Sequence, residues 1–152
     1  MTWGMAFTTG PIRALDFQRF AVAVGDLNPI YFDRAAAQAA GYADVVAPPN
    51  YVTAVLSWEP GPVEAQMQLD GTAGRFPPEL QGKRAMGGGQ ELVLAGPVYD
   101  GDTLSATTRL IESTRKRSSK GEALHIAVMQ TDYRNQRGEL VISCKVTVLF
   151  AD

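Results

Sequence analysis

The stretch YVTAVLSW, residues 51 to 58, is almost entirely apolar and follows the turn-forming sequence APPN of residues 47 to 50. Proline is well tolerated in the first turn of a helix, because its missing N–H would be unpaired there anyway. A helix that is apolar on nearly all sides is buried. The large apolar residues of this stretch are Tyr51, Val52, Val55 and Trp58. Residues 51 to 58 therefore predict a buried helix that the rest of the chain has to cover.

The last part of the chain has the period-two alternation of β-strands. Turn-forming sequences at residues 100 to 102 and 135 to 138 separate the runs. The faces of the four predicted strands are Leu92 and Leu94; Leu104, Ala106, Thr108 and Leu110; Leu124, Ile126, Val128 and Gln130; and Leu140, Ile142, Cys144, Val146, Val148 and Phe150. Four strands at this spacing predict an antiparallel sheet. Because helices come first and strands follow, the class is α+β, with the sheet wrapped around the apolar helix.

Two further helices are predicted in the first third of the chain. Residues 15 to 24 carry apolar side chains at roughly helical spacing, and Gly25 provides a stop signal. The alanine-rich stretch from Arg34 to Ala40 can be capped by Asp33 and ended by Gly41. Both ends of the second helix and the end of the first can therefore be predicted from local chemistry.

The stretch from Glu59 to Gly89 is rich in glycine and proline and is long for a loop. Loops of this length are often functional, so we expect it to cover a functional surface. Its glycine triplet, residues 87 to 89, lacks the lysine and the strand–helix context of a phosphate-binding loop. A nucleotide site is therefore not expected there.

Composition limits the classes of partner. The 152 residues fit one domain, residues 1–152. The formal net charge is −2, whereas nucleic acids and anionic membranes favour a basic surface, so neither is expected as a partner. No apolar run reaches the ~18 residues of a membrane-spanning helix. The lone cysteine, Cys144, is interpreted as a buried thiol, no metal-ligand spacing is found, and we expect a cytoplasmic protein.

Four segments in order extend over nearly the whole chain and resemble one known domain type. They are residues 20 to 33 (FAVAVGDLNPIYFD), residues 41 to 49 (GYADVVAPP), residues 88 to 92 (GGQEL) with Pro97 and Gly101-Asp102, and residues 135 to 141 (NQRGELV). Together they resemble the N-terminal, FAS1-like dehydratase type of domain in the MaoC-like hydratase/dehydratase family. The resemblance implies a single hot-dog domain, in which a long antiparallel sheet surrounds the helix of residues 51 to 58.

The resemblance also implies a reaction and a partner. Members of the family pair two hot-dog domains and bind an acyl thioester of coenzyme A or acyl carrier protein at the interface. They add water reversibly across a trans-2-enoyl thioester to give the (R)-3-hydroxyacyl product, and no cofactor is implied. Active members have the pattern Asp-x-Asn-Pro-x-His, in which the Asp and His hold one water and transfer its protons. Backbone N–H groups at the start of the central helix polarise the thioester oxygen.

This chain departs from that pattern at two places. Asp26, Asn28 and Pro29 match the family motif, but Tyr31 stands where the family has histidine. Tyrosine has an ordinary pKa near 10, against about 6.5 for histidine, and is a poor base at neutral pH. The sequence Ala47-Pro48-Pro49 replaces the Ala-His-Gly of catalytic members, and two prolines remove two backbone donors. The family positions implied for catalysis are Asp26, Asn28 and Tyr31, and those implied for substrate binding are Ala47, Pro48, Pro49, Tyr51, Gly88 and Gly89.

Other interpretations of these residues remain open. Gly-Asp-x-Asn-Pro is also an ordinary turn sequence, so Asp26 and Asn28 can be turn residues alone. His125, the only histidine, is interpreted as an ordinary strand residue rather than a substitute base. The basic cluster comprises Arg115, Lys116, Arg117 and Lys120. A solvated hairpin is the default interpretation of this cluster, and a contact with coenzyme A phosphates is the alternative.

The sequence therefore leads to one main functional hypothesis. The chain is interpreted as the non-catalytic, substrate-binding subunit of an (R)-specific enoyl-CoA or acyl-ACP hydratase/dehydratase, with a second hot-dog subunit that supplies the catalytic pair. The first alternative is a homodimeric acyl-thioester binding protein without catalysis. The second is an active homodimeric hydratase that uses Asp26 with a partner other than histidine.

Overall fold

The computed structural model describes residues 3–54, 76–119 and 121–151. Its helices and strands, in chain order, are β1 (Gly4–Thr8), α1 (Ala14–Val24), α2 (Arg34–Ala39), α3 (Pro49–Ala54), β2 (Arg84–Leu94), β3 (Ser105–Arg117), β4 (Ala123–Arg134) and β5 (Leu140–Ala151). The five strands form one antiparallel sheet in the order β1-β3-β4-β5-β2. The predicted α+β class and antiparallel sheet are therefore confirmed. Among the described residues, no helix is long and apolar enough to cross a membrane.

The core lies between α3 and one face of the sheet, called here the inner face. Tyr51 and Val52 of α3 are buried, and they belong to one cluster with residues of β3, β4 and β5. The sheet members of that cluster include Ala106, Tyr133, Ile142 and Cys144. The predicted inner face of β5 is correct, since Ile142, Cys144, Val148 and Phe150 are all buried. The apolar helix is thus covered by the sheet, as its composition requires.

In the structure, the face of β4 that points to the core is the opposite of the predicted one. The residues that β4 contributes to the core are Ala127, Met129 and Tyr133, which pair with Val148, Val146 and Ile142 of β5. The alternate set, Leu124, Ile126, Val128 and Gln130, shares the opposite face and is half-buried. Both sets contain apolar side chains, so periodicity alone does not distinguish them. Pairing with β5 decides between them, because opposite residues in a ladder lie on the same face.

One unpredicted strand and two predicted boundaries separate the prediction from the structure. The strand β1 was not predicted, because only Met5 and Phe7 alternate within its five residues. The strand β2 begins at Arg84, inside the stretch that was interpreted as a loop up to Gly89. The helix expected over residues 51 to 58 begins at Pro49 and is described as far as Ala54. The remainder of that helix and residues 59 to 75 of the expected loop lie outside the described residues.

The ends of the first two helices follow the predicted local chemistry. The helix α1 ends at Gly25, whose left-handed φ of 75° suits glycine. The carboxylate of Asp33 accepts the N–H groups of Ala35 and Ala36 and thereby caps α2. On α1 only Phe17 and Ala21 are buried, and the large residues Leu15, Val22 and Val24 are more than half exposed. Several apolar side chains of α1 are therefore exposed in this structure.

A bulge in β2 depends on close backbone packing at Gly88. The register between β2 and β5 shifts between Gly87 and Gly89, so Gly88 is the extra residue. A Cβ atom at Gly88 would lie 2.5 Å from Cδ1 of Leu149 and 3.2 Å from the carbonyl oxygen of Thr147. A Cβ atom at Gly87 would meet no atom within 4 Å. The two neighbouring glycines are therefore packed very differently.

Replacing Val52 by Asp is expected to unfold the protein, because an unpaired carboxylate in the core costs several kcal/mol (about 5). Ala54→Asp is the matched control, since Ala54 lies on the same helix and is exposed. Thermal unfolding followed by circular dichroism compares the two variants. Equal melting temperatures for both would contradict the assignment of α3 to the core.

Gly88→Ala is expected to lower the free energy of unfolding by about 1–3 kcal/mol, since the added methyl overpacks the bulge. Gly87→Ala is the control and should leave stability unchanged or slightly increased, because it only restricts the unfolded chain. Urea titration measures both free energies. A Gly88→Ala variant as stable as Gly87→Ala would show that the bulge relaxes without cost.

Candidate functional site

The loop after α1 is built by short-range hydrogen bonds. Gly25 turns the chain, and the N–H of Asp26 donates to the carbonyl of Ala21 at 2.9 Å. The Asp26 carboxylate accepts the N–H of Asn28 at 3.4 Å, and Asn28 Oδ1 accepts the N–H of Ile30 at 3.2 Å. These contacts start a short 3-10 turn, Pro29–Tyr31. Both side chains are exposed and act as turn residues, and Asn28 does so as the cap of that turn.

Tyr31 is placed by this turn in a buried position beside Asp26. Its backbone carbonyl accepts a hydrogen bond of 2.9 Å from Gln18 Nε2. Burial raises the pKa of the Tyr31 phenol, and the negative charge of Asp26 and a side-chain hydrogen bond to Asp26 raise it further. The phenol therefore stays protonated at neutral pH and donates to the carboxylate. An Asp–Tyr pair thus occupies the position of the Asp–His pair that the resemblance implies.

The segment before α3 uses its backbone donors internally. The Ala47 N–H donates to the carbonyl of Val98 at 2.8 Å, and the Tyr51 N–H donates to the carbonyl of Pro48 at 3.0 Å. Pro48 and Pro49 have no N–H. Four of the five backbone positions from 47 to 51 therefore offer no donor to a ligand. A thioester oxygen at this place would lack the paired N–H groups of an oxyanion hole.

A half-open cavity of about 370 Å³ lies next to the Asp–Tyr pair. The described residues that line it are Ile30, Tyr31, Tyr42, Val46, Ala47, Pro49, Leu94, Ala95, Gly96, Pro97, Val98 and Ile142. Most of these side chains are apolar, and the phenols of Tyr31 and Tyr42 are the polar side-chain groups among them. The volume lies within the range of about 300–1,000 Å³ that is typical of small-molecule sites. The cavity can therefore hold an apolar group of moderate length.

The structure brings some of the expected site residues together and separates others. Tyr31, Ala47 and Pro49 line the cavity, and Asp26 is joined to it through Tyr31. Pro48 and Tyr51 are buried, and the ring of Tyr51 packs against Phe17 and Phe20 with centroids 6.2 and 5.7 Å apart. Tyr51 is thus a core residue among the described contacts.

Gly88 and Gly89 are not brought to this cavity. They lie in the first half of β2, beside Thr147 of β5, whereas the cavity is lined by Leu94 and Ile142 near the other end of the same pair of strands. Their expected role in substrate binding stays a prediction, and the structure shows the close packing of Gly88 against β5 in the bulge. Conversely, residues 94 to 98 and Ile142 were not predicted as site residues, although Pro97 is part of the quoted motifs.

His125 lies in a different part of the sheet. Its Nε2 atom shares a hydrogen bond with the Ser113 hydroxyl, and it lines a second, smaller cavity. Burial lowers the pKa of His125, and the charge of Arg115 lowers it further. The two cavities share no described lining residue, so His125 does not replace the missing histidine. Within the described ranges, no group of three His, Cys, Asp or Glu side chains could hold a metal ion.

The chain is similar in sequence to one family model and to several known proteins. The family model described as "FAS1-like, dehydratase domain region" matches residues 1–144. A UPF0336 protein of Streptomyces avermitilis is 34% identical over 134 residues, which cover 88% of this chain and 79% of the relative. A probable enoyl-CoA hydratase alpha subunit of Thermomonospora curvata is 31% identical over 139 residues, 86% of this chain. The match covers 42% of that relative, so the chain spans less than half of its length.

Two solved structures share the fold. A MaoC-like dehydratase from Rhodospirillum rubrum superimposes with a TM-score of 0.63 and 26% identity, over 97% of this chain and 91% of that chain. The HadBC complex of Mycobacterium tuberculosis, a (3R)-hydroxyacyl-ACP dehydratase, gives a TM-score of 0.69 at 22% identity, over 98% and 94% of the two chains. The matched family model covers most of the chain, and both structures match it almost end to end. The chain belongs to the family of FAS1-like dehydratase regions, and its fold is the MaoC-like hot dog.

Proposed function

We propose that this chain is the substrate-binding, non-catalytic subunit of an (R)-specific enoyl-thioester hydratase/dehydratase. A second hot-dog subunit supplies the Asp and His that add water to the double bond. The observation that carries the proposal is the pairing of a protonated Tyr31 phenol with Asp26 where the family has histidine. In the family pattern the Asp and the His share the proton transfers of hydration, and a phenol with a raised pKa does not replace the histidine as a proton acceptor.

The cavity supports a role in binding rather than in proton transfer. Its lining is mainly apolar, which suits the acyl chain of a thioester, and its volume of about 370 Å³ is sufficient for a ligand. Because of the two prolines and the two internal hydrogen bonds, residues 47 to 51 offer no built donor pair to the thioester oxygen. The reacting end of the substrate would therefore lie in the partner's site.

The edge strand β2 supports the proposal that a second subunit binds next to the cavity. Among the described strands β2 is the last of the sheet, and it is 11 residues long and contains no proline. An edge strand of this kind presents unpaired backbone groups that can pair with another chain. Leu94, which is 59% exposed, lies both on this edge and in the cavity lining. A subunit that pairs along β2 would cover the cavity mouth and lengthen the acyl site.

The names of two similar proteins support the proposal of an enzyme with two different subunits. The relative from Thermomonospora curvata is named an alpha subunit, and the structural neighbour from Mycobacterium tuberculosis is a complex. A homodimeric acyl-thioester binding protein is the second candidate, since the same cavity and the same lack of a base also suit it. The two candidates differ in whether a histidine-bearing partner creates activity.

Purified chain alone is expected not to hydrate crotonyl-CoA or a long trans-2-enoyl-CoA at enzyme-like rates, because Tyr31 stands where the family has histidine and Asp26 is paired with a phenol instead of an imidazole. Addition of a histidine-bearing hot-dog subunit should produce activity, measured as loss of the enoyl absorbance. Binding of the thioester without activity in any mixture would favour the homodimeric binding protein. Rapid hydration by the chain alone would contradict both candidates.

Tyr31→Phe tests the role of the phenol in the assembled enzyme. Because Tyr31 is proposed not to transfer a proton, kcat should change by less than about tenfold, whereas loss of an acid–base group costs about 10²–10⁴-fold. Tyr42→Phe is the matched control, since it removes the other phenol of the same cavity. A hundredfold loss in the first variant alone would assign Tyr31 a chemical role.

A further inference from the structure

A second cavity lies at the opposite end of the sheet from the cavity beside Tyr31. It has a volume of about 180 Å³, and its described lining residues are Glu79, Lys83, Arg115, Ala123, Leu124, His125 and Phe150. Phe150 is eight positions along β5 from Ile142 of the first cavity, a separation of about 26 Å at strand spacing. The volume is below the range of about 300–1,000 Å³ for whole small molecules and suits a single functional group.

The described charged residues that line this cavity are predominantly cationic. Arg115 of β3 is the direct ladder partner of His125 on β4, and Lys83 approaches from the residue before β2. Glu79 is the one carboxylate among the described lining residues. Two permanent cations therefore face one acid around a half-buried histidine, in a chain whose net charge is −2.

We propose that this cavity binds one phosphate group, either free phosphate or the phosphorylated end of a larger ligand, through Arg115 and Lys83 with His125 at its side. Arginine and lysine are the side chains that recognise phosphate, the former through paired N–H donors. Glu79 reduces the net positive charge and limits the affinity. Protonation of His125 would add a third positive charge, so the site should bind more tightly as the pH falls.

His125 provides a direct measure of binding that does not depend on the proposed enzymatic reaction. It is the only histidine, so its ring resonance in an NMR spectrum is unambiguous. Without a ligand the pKa of His125 is lowered by burial, by Arg115 and by Lys83, whereas Glu79 raises it. A bound phosphate favours the protonated ring and must therefore raise that pKa. The Ser113 hydroxyl, bonded to Nε2, is the remaining polar contact described for the ring.

The experiment is an NMR pH titration of the full chain in sodium phosphate and in sodium chloride at equal ionic strength. Phosphate is expected to raise the pKa of His125 by at least about 0.5, which corresponds to about threefold tighter binding to the protonated form. Arg115→Ala should abolish this increase and Glu79→Gln should enlarge it. Lys116→Ala is the control, because Lys116 is adjacent in β3 but does not line the cavity.

Opposite effects of the two lining variants, Arg115→Ala and Glu79→Gln, distinguish electrostatic binding from a general loss of structure.

Adenosine 3′,5′-bisphosphate tests whether the bound phosphate is free or belongs to a larger ligand. Saturation at a concentration at least about tenfold below that of inorganic phosphate supports a larger phosphorylated ligand, and equal potency supports free phosphate. The proposal is overturned if the pKa of His125 is the same in phosphate and chloride, or if Arg115→Ala responds like the unmodified chain.

Discussion

The sheet removes the apolar side chains of α3 from water, and the remaining structure depends on that contact. Val52 is fully buried, and burial of a side chain of this size contributes about 1.5–3 kcal/mol. The segment before the helix is held by the Ala47 N–H, which donates to the carbonyl of Val98 in the loop after β2. That hydrogen bond brings residues 46 to 49 against residues 94 to 98, and both segments line the cavity beside Tyr31. The site is therefore a direct result of how the central helix is covered.

Features with local causes could be predicted from the sequence, and features with non-local causes could not. Gly25 and Asp33 define helix ends through contacts with neighbouring residues, and both were identified correctly. The orientation of β4 depends on its pairing with β5, and Ile126 and Met129 are equally suitable for a core. The strand β1 is stabilised by its ladder with β3 rather than by a marked pattern of its own. Its prediction would have required knowledge of the sheet order.

The candidate site divides in the same way. Tyr31 and Pro49 lie in motifs that could be recognised in the sequence, and the structure places both in the cavity wall. Leu94 and Ile142 belong to strands whose ends meet only after the sheet has formed, so no local signal marks them. Gly88 was assigned to the site because it belongs to a motif, but its requirement for glycine comes from packing against β5. A motif can thus contain residues that maintain the fold beside residues that line a site.

The two prolines before α3 also determine how reversible the departure from the family pattern is. A histidine at position 31 would restore a proton acceptor, but positions 48 and 49 would still lack an N–H. Recovery of both functions needs substitutions at position 31 and in the proline pair together, and an intermediate with one of them gains no complete site. The family pattern is therefore at least two substitutions away, because position 31 and the proline pair belong to separate segments of the chain.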